Sequence, residues 1–295
     1  MPPGLTIAVT ADLHWGHHGR GDEANGLLVD FLRGQAPDLL IIAGDIGSAD
    51  NFAAGLRQFD GVAGQKALIA GNHDIWVLPD DGRGDSLAVY ERHLVEIAAA
   101  HGFHYLDAAP LILPGHDLAV VGTINWYDYS WSIDQLRQLF PADEWRLAAK
   151  RFTQGQHNDA RFVRWTLDDR TFTARCAATL ESHLKAALAR VSRTIVVTHH
   201  PSAPALSFPE SDGPPSVDRL LWRGLMGNRR VEELLLCHAG RVPLIFCGHT
   251  HRAREAILAG GRAYNIGGDY HFKRLLWFDS PDAVPEVHEF GNPIR

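Results

Sequence analysis

Six short apolar runs recur along the chain: Leu5–Ala11, Asp38–Ala43, Lys66–Ala70, Leu118–Val121, Thr194–Thr198 and Val242–Cys247. Each is strand-length and apolar throughout rather than alternating, the pattern of strands covered on both faces. Between them, Ala24–Gly34, Asn51–Phe59 and Ser86–His101 carry apolar positions at helical spacing. Strand, helix, strand alternation predicts an α/β fold with parallel pairs joined by right-handed crossovers. After Val242 the pattern changes to Ala253–Leu258, Arg262–Ile266, Arg274–Phe278 and Val284–Phe290, short runs parted by Gly-Gly or Pro-Asp breaks. These predict antiparallel hairpins, which make the sheets mixed.

Two segments break the alternation. Asn125–Arg193 predicts three helices, the clearest being Phe172–Val191, with Phe172, Cys176, Leu180, Leu184, Leu188 and Val191 on one face. It reads as a helical insertion or cap at about 125–193 within a single domain spanning 1–295. Ser202–Ser216, rich in Pro and Ser, is too long and too broken for a tight connection. It reads equally as an active-site lid and as a plain surface loop.

Composition narrows the function classes. A chain of 295 residues has room for an extensive core, and no window holds the ~18 consecutive apolar residues of a membrane span. The net charge of −7 argues against charge-driven binding of duplex nucleic acid. Cys176, Cys237 and Cys247 are too few and odd in number for a disulfide framework, which points to a reducing compartment. No basic stretch leading into an apolar one precedes Leu5, so the expected location is the cytoplasm. The 17 histidines ask for a metal or acid–base explanation.

That explanation lies where the apolar runs end. They are followed by Asp12-Leu13-His14, Gly44-Asp45, Gly71-Asn72-His73-Asp74, His199-His200-Pro201 and Gly248-His249-Thr250-His251. Ligands of open α/β sheets bind outside the carboxyl ends of the strands, so five such clusters would converge on one crevice. A lone Asp after a strand is commonly a helix N-cap, but five clusters of metal-ligand type leave that explanation little room. Asp12 with His14, and His249 with His251, stand at i, i+2, which puts both side chains of each pair on one side of an extended chain. Carboxylate, imidazole and amide oxygen without thiolate point to Mn, Fe or Zn. Asp12, His14, Asp45, Asn72, His199, His249 and His251 exceed the ligands of one tetrahedral site, so two metals are expected. Asp45 can bridge them with one oxygen or two. Such pairs acidify bound water into hydroxide and clamp the oxygens of an in-line displacement, the geometry of phosphate ester hydrolysis.

In order and approximate spacing, the five motifs resemble the calcineurin-like metallophosphoesterase superfamily over residues 5–266. The resemblance implies a four-layer α-β-β-α sandwich of two mixed β-sheets. It implies that Asp12, His14 and His251 hold one metal and Asn72, His199 and His249 the other, with Asp45 bridging. It also implies a catalytic role for His73, as the group that contacts phosphate and aids the leaving oxygen, with Asp74 or Asp50 orienting its ring. His200 is expected to be structural, and His17 and His18 to lie on the surface. Gly44-Asp45 continues as Ile46-Gly47-Ser48-Ala49-Asp50-Asn51, without the phosphate-binding Arg of phosphoprotein phosphatases. The chain therefore resembles the bacterial phosphodiesterase and general phosphoesterase branch.

The expected enzyme is a dinuclear-metal phosphodiesterase acting on nucleotide-like or small-molecule diesters, with Mn favoured in vitro. A phosphomonoesterase or nucleotidase is the alternative within enzymes; a catalytically decayed metal-binding scaffold is the alternative of another class. Substrate contacts are sought in Trp126, Tyr127 and Arg252, with Arg161 and Arg164 as further anion partners. Aromatics mostly serve burial, so Asn125–Trp131 reads more readily as packing for the insertion than as a nucleobase platform.

Overall fold

The computed structural model describes residues 4–209 and 213–292; residues 1–3, 210–212 and 293–295 lie outside. Twelve strands follow in chain order: β1 (Ile7–Thr10), β2 (Leu39–Ala43), β3 (Gln65–Ile69), β4 (Phe103–Tyr105), β5 (Leu111–Ile112), β6 (Leu118–Thr123), β7 (Arg193–Thr198), β8 (Leu244–Cys247), β9 (Arg254–Leu258), β10 (Gly261–Asn265), β11 (Lys273–Phe278) and β12 (Glu286–Phe290). They form two six-stranded sheets, ordered β12-β11-β1-β2-β3-β4 and β5-β6-β7-β8-β10-β9. Strands β1 to β4 run parallel, as do β6, β7, β8 and β10, while β11, β12, β5 and β9 are antiparallel at the flanks. Both sheets are mixed.

The continuous apolar runs are explained by burial on both faces. Ile7, Val9, Ile41 and Ile69 of one sheet meet Val120, Ile195, Val197 and Phe246 of the other in a central layer. Ala8, Leu40, Ile42 and Leu68, one residue out of phase, face the helices Gly19–Gln35, Asp50–Gln58 and Leu94–Ala100. On the far side Ala119, Val121, Val196 and Ile245 pack under Asp169–Leu188 and Arg229–Cys237. Helix, sheet, sheet and helix make four layers.

Four elements differ from the sequence reading. Strands β4 and β5 were not expected, because three and two residues are too short to show a periodic run. Ser86–His101 is helical but not uniform, since Val89–His93 opens into a π-turn between two α-helical pieces. Asp169–Leu188 links β6 to its parallel neighbour β7, so this part of the expected insertion is a crossover helix of the sandwich. The rest of the segment holds three short α-helices, Ile133–Leu139, Trp145–Ala149 and Asp159–Phe162, and one 3-10 turn, Pro141–Asp143. The Pro-rich segment starts from buried Ser202 and Leu206. No described helix is long and apolar enough to cross a membrane.

Candidate metal centre

Five loops leave the C-terminal ends of β1, β2, β3, β7 and β8, and main-chain hydrogen bonds tie them together. Asp12 N–H donates to Gly44 O at 3.1 Å, His14 N–H to Asp45 O at 2.9 Å, and Gly248 N–H to His199 O at 3.1 Å. Space is equally tight. A β-carbon at Gly71 would lie 2.1 Å from Asp45 Oδ1, and one at Gly248 2.7 Å from Asp12 Oδ2. The motifs carry glycine there because a neighbouring carboxylate fills the volume.

Asp12, His14, Asp45, His249 and His251 all have φ between +44° and +71°. Left-handed backbone costs about 1–3 kcal/mol at a non-glycine residue and gathers at functional sites. The i, i+2 pairs therefore do not lie on extended chain, which corrects the sequence expectation. Asp12 and His14 still point to the same side of Asp45. His249 and His251 separate: His251 Nε2 comes within 2.9 Å of His14 Nε2 and 3.7 Å of Asp12 Oδ1, whereas His249 Nδ1 lies 3.2 Å from Asn72 Oδ1.

Two groups of candidate ligands result. Asp12, His14, Asp45 and His251 offer atoms all within 4.8 Å of one another. Asn72 Oδ1 faces His199 Nε2 at 3.1 Å and His249 Nδ1 at 3.2 Å. Asp45 Oδ2 stands between the groups, 3.7 Å from His14 Nε2 and 3.4 Å from His199 Nε2. Its other oxygen accepts the backbone N–H of His73 at 2.9 Å.

Hydrogen bonds around the rim turn acceptors inward. His199 Nδ1 lies 2.9 Å from Ala43 O, a contact that turns Nε2 toward Asp45 and Asn72. Asn72 Nδ2 donates to Asp159 Oδ1 at 2.9 Å, which leaves Asn72 Oδ1 facing the two imidazoles. Asp12 Oδ2 and His249 Nε2 are buried without a hydrogen-bond partner. Imidazole nitrogens and amide and carboxylate oxygens thus crowd together around Asp45 in a buried site, and the residues present fit a cation on each side of it.

Electrostatics agree. Burial opposes ionisation of Asp45, but His199, His73 and His14 around it hold its pKa well below the usual carboxylate range. Burial also opposes protonation of His199, yet Asp45 and Asp12 carry its pKa up to about 9. The cavity attracts positive charge. Burial pushes His14, His249 and His251 down, so these rings present unprotonated nitrogen at neutral pH.

The model of the calcineurin-like phosphoesterase family matches residues 5–253. The chain belongs to this family. Among curated proteins none matches it in sequence. Its fold is similar to that of phosphopantetheinyl hydrolase from Mycobacterium tuberculosis, at 19% identity and a TM-score of 0.63 over 92% of each chain. It is also similar to a dimetal phosphatase from Danio rerio, at 14% identity and a TM-score of 0.57 over 98% of this chain and 100% of that one. The chain is a metal-dependent phosphoester hydrolase of a family built on a dinuclear centre.

Beside the two ligand groups of this phosphoesterase, the His73 ring stacks on Trp76, with centroids 3.6 Å apart, and its Nε2 lies 3.9 Å from Asp45 Oδ2. Burial lowers its pKa. Asp74 does not reach that ring. Its carboxylate accepts Gly47 N–H at 2.8 Å and Gly71 N–H at 2.7 Å, fastening the loops after β2 and β3, and burial with Asp45 nearby pushes its pKa up to about 8. Asp50 is exposed at the start of its helix. The expected carboxylate partner of His73 is thus replaced by an indole.

Trp126 and Tyr127 also depart from the candidate roles assigned to them. Both are fully buried, with Trp126 Nε1–H donating to Asp169 Oδ1 at 2.8 Å and Tyr127 O–H to Asp159 Oδ2 at 2.9 Å. They pack the insertion onto the core and present no face to a substrate. Arg252 is exposed, its guanidinium 5.8 Å from the Phe208 ring, and Arg161 and Arg164 are exposed. His17 and His18 are exposed, the latter capping Gly19–Gln35 by accepting Arg20 N–H, while His200 is buried with its ring 4.1 Å from that of His249.

Three residues at the site escaped the sequence reading. Tyr270 lays its ring 4.3 Å from His14 and 4.8 Å from His251, roofing one ligand group. Lys273 is fully buried and donates to the carbonyls of Asp12, at 3.0 Å, and Asp269. Asp159, from the insertion, accepts from Asn72, Trp76 and Tyr127. A lysine opening an apolar strand was a readable signal; a lone Asp 87 residues from Asn72 was not.

Proposed function

We propose that Asp12, His14 and His251 would hold one metal ion, that Asn72, His199 and His249 would hold a second, and that Asp45, whose Oδ2 lies near His14 and His199, would be shared between them. The observation that carries this reading is the convergence of imidazole nitrogens and amide and carboxylate oxygens on both sides of that one carboxylate. Oxygen and nitrogen donors without thiolate suit Mn, Fe or Zn. Two such ions, when bound, supply an acidified water and stabilise charge on the phosphoryl oxygens. His73, on the rim beside Asp45, then serves as the residue that contacts the phosphate and gives a proton to the leaving oxygen. Trp76 holds the ring in place.

The substrate is a phosphodiester with an extended arm. Lys273 spends its donors on main-chain carbonyls and Arg252 lies over Phe208, so neither adds a cation for the second negative charge of a monoester. A diester monoanion asks for less. The arm has a place to go in a cavity of about 660 Å³ lined by Trp131, Pro204, Phe208, Leu220 and Trp222. Phe208 leads from that cavity to Arg252, next to His251; Trp222 leads to His157, whose ring nitrogen is 3.3 Å from Asp159. This cavity, formed by the Pro-rich segment and the insertion, replaces Trp126 and Tyr127 as the candidate specificity wall.

The deciding experiment loads the protein with Mn and compares bis-p-nitrophenyl phosphate, p-nitrophenyl phosphate, a nucleotide diester and a phosphopantetheinyl ester. Higher kcat/KM on the diesters supports the reading; preference for the monoester replaces it with a phosphomonoesterase. One Mn or none per chain at saturation overturns the dinuclear assignment.

A further inference from the structure

Asp159 begins the short helix Asp159–Phe162 in the segment between β6 and the helix Asp169–Leu188, and only 1% of it is exposed. A buried carboxylate is costly unless its oxygens are satisfied, and here donors from three separate parts of the chain meet it. Its Oδ1 accepts both Asn72 Nδ2–H, at 2.9 Å, and Trp76 Nε1–H, at 2.8 Å. Its Oδ2 accepts Tyr127 O–H at 2.9 Å, with His157 Nδ1 3.3 Å away.

The two partners of Oδ1 matter for different reasons. A carboxamide has an acceptor end and a donor end of nearly equal size, and rotation by half a turn exchanges them. With Nδ2 fastened to Asp159, Asn72 presents Oδ1 to His199 and His249. Without that anchor, the amide is free to turn an N–H toward the same place and stop being a ligand. Trp76 carries the His73 ring on its face, 3.6 Å between centroids and 29° between planes. Its tilt is set by where the indole N–H is held.

We propose that Asp159 is a positioning residue that aligns, through a single carboxylate oxygen, both the amide ligand Asn72 and the Trp76 platform of His73. Metal loading and proton donation are thereby coupled through the insertion. The proposal rests on the roles given above to Asn72 and His73. Carboxylates that orient metal ligands typically change metal affinity by about 10- to 100-fold when removed.

The test is Mn(II) titration followed by electron paramagnetic resonance on purified wild type, Asp159→Ala, Asp159→Leu and Trp76→Phe, with kcat and KM on bis-p-nitrophenyl phosphate. In either Asp159 variant the first Mn should bind as in wild type, the second about 10- to 100-fold more weakly, and the spin-coupled pair signal should give way to that of an isolated ion. Asp159→Asn keeps one acceptor oxygen and should restore the pair. Trp76→Phe keeps an aromatic face but loses the donor; it should retain both Mn while kcat falls at least tenfold with KM within twofold, and it remains informative if the Asp159 variants do not fold. A folded Asp159→Ala or Asp159→Leu protein with unchanged second-site affinity overturns the proposal, as does unchanged kcat in Trp76→Phe. Fewer than two Mn in wild type overturns instead the dinuclear reading on which it stands.

Discussion

His73 and Trp76 stack with ring centroids 3.6 Å apart, and the backbone N–H of the same His73 donates to Asp45 Oδ1 at 2.9 Å. The backbone bond to Asp45 Oδ1 does not depend on the ring, so removing the ring takes away only its Nε2, 3.9 Å from Asp45 Oδ2, and leaves that backbone bond intact. His73→Ala should bind two Mn per chain and lose kcat by ~10²–10⁴, the usual contribution of a positioned proton donor. Asp45→Ala should lose metal as well as rate, because its Oδ2 lies near His14 and His199 together. Metal analysis beside steady-state kinetics separates the two cases. An emptied site in His73→Ala would make His73 a ligand.

Asp74 gives a contrasting expectation. Both of its oxygens receive backbone N–H groups, from Gly47 and Gly71. In Asp74→Asn one oxygen becomes an NH₂ facing an N–H, a mismatch worth ~1–3 kcal/mol of stability. The pH profile of kcat should keep its shape while the urea midpoint falls. A displaced limb of that profile at unchanged stability would return Asp74 to a role on His73.

The layers were legible because they obey local rules, and the same rules marked out the candidate ligands. Runs such as Leu39–Ala43 announce burial on both faces, and a polar cluster after each run marks the strand's carboxyl end. What could not be read was set by contacts across the fold. Five candidate ligands adopt left-handed backbone because crossed loops hold them there, not because Asp or His prefers it. Asp159 and Tyr270 reach the site from segments with no motif of their own. Trp126 and Tyr127, adjacent to a strand end, left both substrate contact and packing open with packing favoured, and their polar atoms turn to Asp169 and Asp159 inside the protein.

That burial has a measurable consequence. Tyr127→Phe deletes the O–H that Asp159 accepts and leaves the ring's volume, so it should lower unfolding free energy by ~0.5–1.5 kcal/mol. Trp126→Phe loses ring volume and the Asp169 contact and should cost more. In both, KM for a nucleotide diester should stay within twofold of wild type. A several-fold rise in KM with stability unchanged would put these aromatics back at the substrate.

Specificity should instead follow Phe208 and Trp222, which line the cavity between the Pro-rich segment and the helix Val217–Gly224. Phe208→Ala should leave metal content intact. It should reduce discrimination between a long-armed diester and bis-p-nitrophenyl phosphate by ~1–3 kcal/mol, the scale of a lost pocket contact. An unchanged ratio of kcat/KM values for the two substrates would leave the cavity without a part in substrate choice.

Lys273 makes stability itself depend on pH. Burial lowers its pKa from the ordinary 10.5 to about 8, although Asp12 and Asp269 pull the other way. Below about pH 8 the folded, metal-free protein carries this ammonium at a penalty. Between about pH 8 and 10.5 the folded state has released the proton while the unfolded chain still holds it, so stability rises with pH across that window. Lys273→Met removes the titrating group at similar length. The urea midpoint of chelated wild type should therefore climb relative to that of Lys273→Met from pH 8 to 10.5, and the difference should level off above it. Parallel curves for the two proteins would mean that the buried ammonium keeps its ordinary affinity for the proton through its bonds to the Asp12 and Asp269 carbonyls, and a relative fall for wild type that these bonds make it hold the proton more tightly than the unfolded chain does.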